Sequence, residues 1–185
     1  MDKLTKILGF AGSLRKDSYN KILLRAAVEL RPKNTKLEIF DLEGIPLFNE
    51  ALENKMPGTV KNFKRKIRAA DAILIATPEY NFSVPGVLKN AIDWASRPYG
   101  DNSFEDKPVA VLGASPGMIG TARAQYHLRQ TLVFLNMHPV NRPEVIVPFV
   151  NEKIEKNRVI DKKTREKIRE LLESLIAWTK RLEEG

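Results

Sequence analysis

Ala72-Ile73-Leu74-Ile75-Ala76, closed by Thr77-Pro78, is the stretch on which the fold turns. Five apolar residues in a row, without the alternation of a half-buried strand, describe a strand covered on both faces. Strands of that kind belong to parallel sheets, because the crossover helices that join parallel neighbours lie against the sheet faces. The chain on either side alternates accordingly. Before this strand, Leu4–Phe10 reads as a short apolar strand. Asp17–Arg31 reads as a helix with Ile22, Leu23, Ala26, Ala27 and Leu30 at helical spacing, stopped by Pro32. Lys36–Phe40 is a second strand, the stretch from Gly44 through Pro46 to Pro57 a loop, and Thr59–Ala70 a basic helix. After it, Pro85–Ser96 is a helix with proline in its first turn, and Val109–Leu112 another apolar strand. Gly120–Leu135 is a helix, Val145–Val147 a short last strand, and Asp161–Leu182 a long helix with Asp161 as its N-cap.

Five β-α units in one chain of 185 residues match an α/β, flavodoxin-like, doubly wound parallel sheet of order 2-1-3-4-5, helices on both faces. Residues 1–185 read as a single domain. In such sheets a ligand sits beyond the carboxyl ends of the strands, where the strand order reverses. The loops that matter therefore follow Phe10, Thr77 and Gly113.

Composition narrows the chemistry. With no cysteine, the chain has no disulfide, thiolate metal site or thiol nucleophile. Its two histidines, His127 and His138, have no metal-ligand spacing. No apolar run reaches the roughly 18–20 residues of a membrane span, and Met1-Asp2-Lys3-Leu4 lacks the plan of a signal peptide, so no membrane partner and a cytoplasmic location are expected. The 31 Lys+Arg against 23 Asp+Glu give a net charge of +8. Positive residues concentrate at Lys61–Arg68 and Lys153–Arg169, the second interleaved with acids as on a solvated helix. That pattern suits anionic cofactors and small anionic substrates better than nucleic acid, which is not expected as a partner.

The first loop reads Gly12-Ser13-Leu14-Arg15-Lys16-Asp17-Ser18-Tyr19-Asn20. Gly12 allows a tight turn, Ser13 and Ser18 offer hydroxyls, Asn20 an amide and Arg15 a planar charged fork, all at a helix N-terminus. A phosphate monoester fits such a cradle. The same residues also serve as ordinary helix caps, and both readings stand. The loop has neither a Walker A ending nor G-x-G-x-x-G. The second loop, Thr77-Pro78-Glu79-Tyr80-Asn81-Phe82-Ser83-Val84-Pro85-Gly86, offers flat rings at Tyr80 and Phe82 and amide groups at Asn81 for a planar ligand. Trp94 falls off the apolar stripe of its helix, which suggests a hydrophobic cover or a subunit contact.

Gly12-Ser13-Leu14-Arg15-x-x-Ser18-x-Asn20 together with Pro78-Glu79-Tyr80-Asn81-x-Ser83-x-Pro85-Gly86-x-Leu88-Lys89-Asn90-Ala91-Ile92-Asp93-Trp94-x-Ser96-Arg97 resembles the NADPH-dependent FMN reductase family. Gly113-Ala114-Ser115-Pro116-Gly117-Met118-Ile119-Gly120 and Arg123-Ala124-Gln125-Tyr126-His127-Leu128-Arg129-Gln130 fit as well, the last resembling its chromate and quinone reductase branch. The resemblance implies an FMN cofactor with NADPH or NADH as electron donor. Electrons pass in two half-reactions to quinones, chromate, azo compounds or similar small acceptors. It implies that Ser13, Arg15, Ser18, Tyr19 and Asn20 hold the phosphate end, that Pro78, Glu79, Tyr80 and Asn81 line the ribityl chain and ring, and that Ser115 and Gly117 form the opposite wall. No catalytic acid, base or nucleophile is implied, since the cofactor carries the reaction. Met118 and Ile119 stand where the family often has glycine, narrowing the access or facing a partner subunit. A homodimer or homotetramer is implied, with the flavin near the subunit boundary; Arg123, Tyr126 and Glu144 are candidate interface groups, because Arg and Tyr favour interfaces. The alternative is a flavodoxin-type FMN-binding electron carrier; against it stand the basic charge and Arg15, which the Ser/Thr/Gly-rich phosphate loop of carriers lacks.

Overall fold

The computed structural model describes residues 3–184. Its strands are β1 (Thr5–Ala11), β2 (Thr35–Phe40), β3 (Ala72–Ala76), β4 (Pro108–Ala114), β5 (His138–Pro139) and β6 (Val145–Val147), in one parallel sheet. Its order is β2-β1-β3-β4-β5, with β6 also on β4, the expected 2-1-3-4-5 arrangement. Among the described residues four α-helices lie between strands, α1 (Tyr19–Leu30), α2 (Gly58–Ala69), α3 (Gly86–Ala95) and α4 (Ala122–Phe134), and a fifth, α5 (Lys162–Glu184), follows the last strand. Among the described residues, no helix is long and apolar enough to cross a membrane.

The apolar run of β3 works as its composition requires. Ala72, Leu74 and Ala76 pack with α1 and α5, including Leu23, Ala27, Ile168 and Leu172. Ile73 and Ile75 point the other way, among Phe63, Ile67, Leu88, Ile92, Leu128 and Leu132 of α2, α3 and α4. Phe10, Phe63 and Phe104 meet in this second layer, Phe10 edge-on to Phe63 at 5.2 Å. Each such side chain contributes about 1.5–3 kcal/mol on burial, so both layers hold the sheet that carries the loops.

Several expectations are corrected. The fifth strand is two pieces: β5 pairs with Pro108–Val109 and β6 with Leu112–Ala114, with Pro143 in the gap. The C-terminal region adds a hairpin, β7 (Ile154–Glu155) and β8 (Arg158–Val159), and the loop before α2 contains a 3-10 helix, Glu50–Lys55. Pro85 precedes α3 as its N-cap rather than lying inside it. Trp94 is fully buried and is no subunit contact: its Nε1–H donates to Pro46 O at 2.8 Å, and Phe48 lies edge-on at 5.0 Å. Asn90 completes the bracing, donating to Pro46 O at 2.8 Å and accepting from Phe48 N at 2.7 Å. Within the basic α2, Lys64 is not a surface charge. It is buried, bonded to Asp101 at 2.9 Å and to Arg97 O. Burial pushes its ammonium below the usual lysine range, although Asp101 opposes that shift.

Candidate cofactor site

The ends of β1, β3 and β4 are held close by glycines whose missing side chain matters. A Cβ on Gly113 would lie 2.1 Å from Thr121 Oγ1 and 2.4 Å from Thr77 O. At Gly12 it would lie 2.9 Å from Leu88 Cβ. The chain bends at Gly12 as expected, and its missing side chain also permits close packing against α3. Gly12 N donates to Ala76 O at 2.9 Å and Thr77 N to Leu112 O at 2.9 Å, so the three loops leave the sheet in fixed relation.

Between them lies a cleft of about 250 Å³ lined by Ser13, Arg15, Ser18, Tyr19, Asn20, Pro78, Glu79, Tyr80, Ala114, Ser115 and Pro116. Ser13 and Ser18 are buried. Ser18 stands at the N-cap of α1, yet its side chain makes no capping hydrogen bond. The ordinary-cap reading therefore does not account for Ser18. Ser13 Oγ accepts from Arg15 N at 3.3 Å and keeps its own proton to donate. Arg15 Nη2 donates to Asp17 O at 2.8 Å, and its guanidinium lies 5.1 Å from the centre of the Tyr19 ring. Tyr19 in turn donates to Asn151 Oδ1 at 2.6 Å. The hydroxyls, the guanidinium and the free first-turn N–H groups of α1 form a donor set suited to a phosphate monoester, so this end of the cleft fits FMN.

Other residues on the cleft play different parts. Asn20 turns its amide to β4, bonding both main-chain groups of Ala114 at 3.1 and 3.0 Å. The Glu79 carboxylate accepts from Ala124 N at 3.0 Å, capping α4, and lies 3.9 Å from Arg123 Nη1. Asn81 and Gly117 do not line the cleft. Asn81 is exposed in a turn with φ 49°, and Gly117 N donates back to Ser115 Oγ at 3.0 Å. Ala114 and Pro116 line it as well; they flank Ser115 in the third loop, which was the available signal. Exposed His127 bonds Ser83 at 3.0 Å, another tie between α4 and the second loop. Asp93 pairs with Lys89 at 2.7 Å on the surface of α3. Tyr126 donates to Glu144 Oε1 at 3.1 Å within one chain. Among the described residues, no group of three or more His, Asp or Glu side chains is placed to hold a metal ion.

Residues 5–152 match the family described as NADPH-dependent FMN reductase. The chain is 52% identical over 179 residues to an NAD(P)H-dependent FMN reductase of Pseudomonas aeruginosa, covering 96% of each. It is 40% identical over 176 residues to a 2-hydroxy-1,4-benzoquinone reductase of a Burkholderia species, covering 95% of this chain and 96% of the relative. Among solved structures it is similar to FerB, a flavoenzyme NAD(P)H:(acceptor) oxidoreductase from Paracoccus denitrificans. There the TM-score is 0.88 at 36% identity, over 96% of this chain and 98% of that one. A sheet of this order, a cleft at its crevice and relatives alike over nearly their whole length lead to one conclusion: the chain belongs to the NADPH-dependent FMN reductase family.

Proposed function

We propose that the protein, working as one domain, oxidises NAD(P)H through FMN held in this cleft and passes the electrons to quinones and other small acceptors, chromate and azo compounds among them. The observation that carries this is the convergence of Ser13, Ser18 and Arg15 on the N-terminus of α1, where Ser18 makes no capping bond. Bound FMN supplies the ring that takes a hydride and yields electrons. The chain's own contribution is position and charge. Arg15 and the buried hydroxyls neutralise and fix the phosphate. Tyr80, exposed at the cleft, gives the ring a flat neighbour. Donor and acceptor use the same open side in turn, a two-step, ping-pong order.

The exposed outer face of α4, with Tyr126, Val133 and Phe134, supports assembly as a homodimer or homotetramer. The cytoplasm, where NAD(P)H is supplied, is the proposed setting. The test is a visible spectrum of the purified protein after FMN addition, then anaerobic NADPH titration. Flavin bands that bleach, and return when a quinone is added, are the expected result. Protein that takes up no FMN overturns the reading. FMN uptake without NAD(P)H oxidation indicates a carrier instead.

A further inference from the structure

Asn151 lies outside the three loops that follow β1, β3 and β4, yet one hydrogen bond carries it to an end of the cleft. Tyr19, 132 positions earlier, donates its hydroxyl proton to Asn151 Oδ1 at 2.6 Å. Tyr19 opens α1 and lines the cleft. Asn151 stands in a 3-10 helix, Val150–Glu152, that follows β6, and does not line the cleft. That short helix is itself fixed to the third loop. Val150 N donates to Ser115 O at 3.2 Å, and Phe149 N to Gly117 O at 3.4 Å. The Tyr19 hydroxyl therefore joins the start of α1 to the third loop around the end of the cleft where Ser13, Arg15 and Ser18 gather.

Arg15 is placed by this link. Its guanidinium has two restraints, Asp17 O at 2.8 Å from Nη2 and the Tyr19 ring centre at 5.1 Å. Asp17 belongs to the same loop as Arg15, so it cannot fix that loop against the rest of the fold. The Tyr19 ring can, because its far end is tied to Asn151. An exposed arginine loses rotamer freedom on gripping an anion, and one already held loses less. The same bond bears on ligand size. A phosphate monoester ends in oxygens that the serines, Arg15 and the first-turn N–H groups can all face. A pyrophosphate-linked flavin continues from one of those oxygens into a second phosphate and a nucleoside. It needs an opening at this end, where the hydroxyl bond draws the walls together.

We propose that the Tyr19–Asn151 bond is a strap that suits the phosphate end to a monoester. Asn151 is a positioning residue that holds Tyr19 and, through its ring, Arg15, and the closed strap disfavours flavins whose phosphate carries a further group. This rests on the reading of the cleft as an FMN site and deepens it.

The test is fluorescence titration of the flavin-free protein with FMN, riboflavin and FAD. Wild type binds FMN at least tenfold more tightly than FAD. Tyr19→Phe, which keeps the ring and loses the anchor, raises the FMN dissociation constant about five-fold, the scale of one hydrogen bond. Asn151→Ala does the same. The double variant is no weaker than either single one, because the two residues act through one bond. Riboflavin, with no phosphate to place, binds all four proteins alike, and the preference for FMN over FAD narrows in the variants. Equal losses for FMN and riboflavin overturn the proposal, since they signal a general disturbance of the cleft. So does an FMN affinity that Asn151→Ala leaves unchanged, or a double variant whose loss is the sum of the single ones. Wild-type protein that binds FMN and FAD equally overturns the strap alone, whereas wild-type protein that binds no flavin fails the underlying reading.

Discussion

Asn20 and Ala114, 94 positions apart, exchange two hydrogen bonds: the Asn20 amide donates to Ala114 O at 3.1 Å and its oxygen accepts from Ala114 N at 3.0 Å. The side chain thus behaves as a piece of strand, fastening the start of α1 to the end of β4. Asn20→Ala leaves a buried N–H and C=O without partners. At about 1–3 kcal/mol for each unsatisfied group, the loss is on the order of 3 kcal/mol. Urea denaturation of the FMN-free protein checks it, and a midpoint equal to wild type contradicts it.

Arg15→Ala is expected to weaken FMN binding about tenfold, the scale of one charge-assisted bond. Riboflavin, which lacks the phosphate, binds wild type and variant alike. Fluorescence titration with both flavins separates a phosphate contact from a general disturbance of the loop.

A glycine with no room for a side chain and one with ample room give opposite outcomes. Gly113→Ala drives a methyl into Thr77 O and Thr121 and destabilises by about 3 kcal/mol or more. Gly86 opens α3 with nothing within 4 Å of a new Cβ, so Gly86→Ala stabilises by about 0.5 kcal/mol. Thermal melts of the two variants should shift in opposite directions.

Asp161 accepts from Thr164 Oγ1 at 2.6 Å and from Thr164 N at 2.7 Å at the start of α5. The hydroxyl bond, joined by the main-chain bond, holds its carboxyl below the usual range, with burial opposing. A depressed folded pKa stabilises above the unfolded value of about 3.9 and loses that contribution as pH falls through the folded value. Asp161→Ala therefore costs about 1 kcal/mol at neutral pH, and the gap to wild type closes in acid. Denaturation curves at neutral and at acidic pH read the difference.

The sheet was legible because its strands are apolar on both faces, as Ala72–Ala76 shows, and because Pro32 and Asp161 mark helix ends. The phosphate end of the cleft was legible for a local reason: Ser13, Arg15 and Ser18 lie within one loop. What escaped depends on contacts between distant segments or on backbone shape. Glu79 lines the cleft as expected, but that its carboxylate also meets Ala124 N is visible only once α4 is placed beside it. Asn81 turns away because two successive residues adopt left-handed backbone, which periodicity does not encode. Trp94 faces off its helix's stripe, and nothing local announces that Pro46 and Phe48 will cover it.

The break between β5 and β6 has a consequence for solubility. A sheet edge is a template on which another chain can add a strand, and the hazard grows with the length of uninterrupted edge. Here that border consists of one two-residue piece ending in Pro139 and one three-residue piece, with Pro143 in between. Neither is long enough to guide a stranger into register, so the interruption itself protects this border of the sheet against edge-to-edge aggregation.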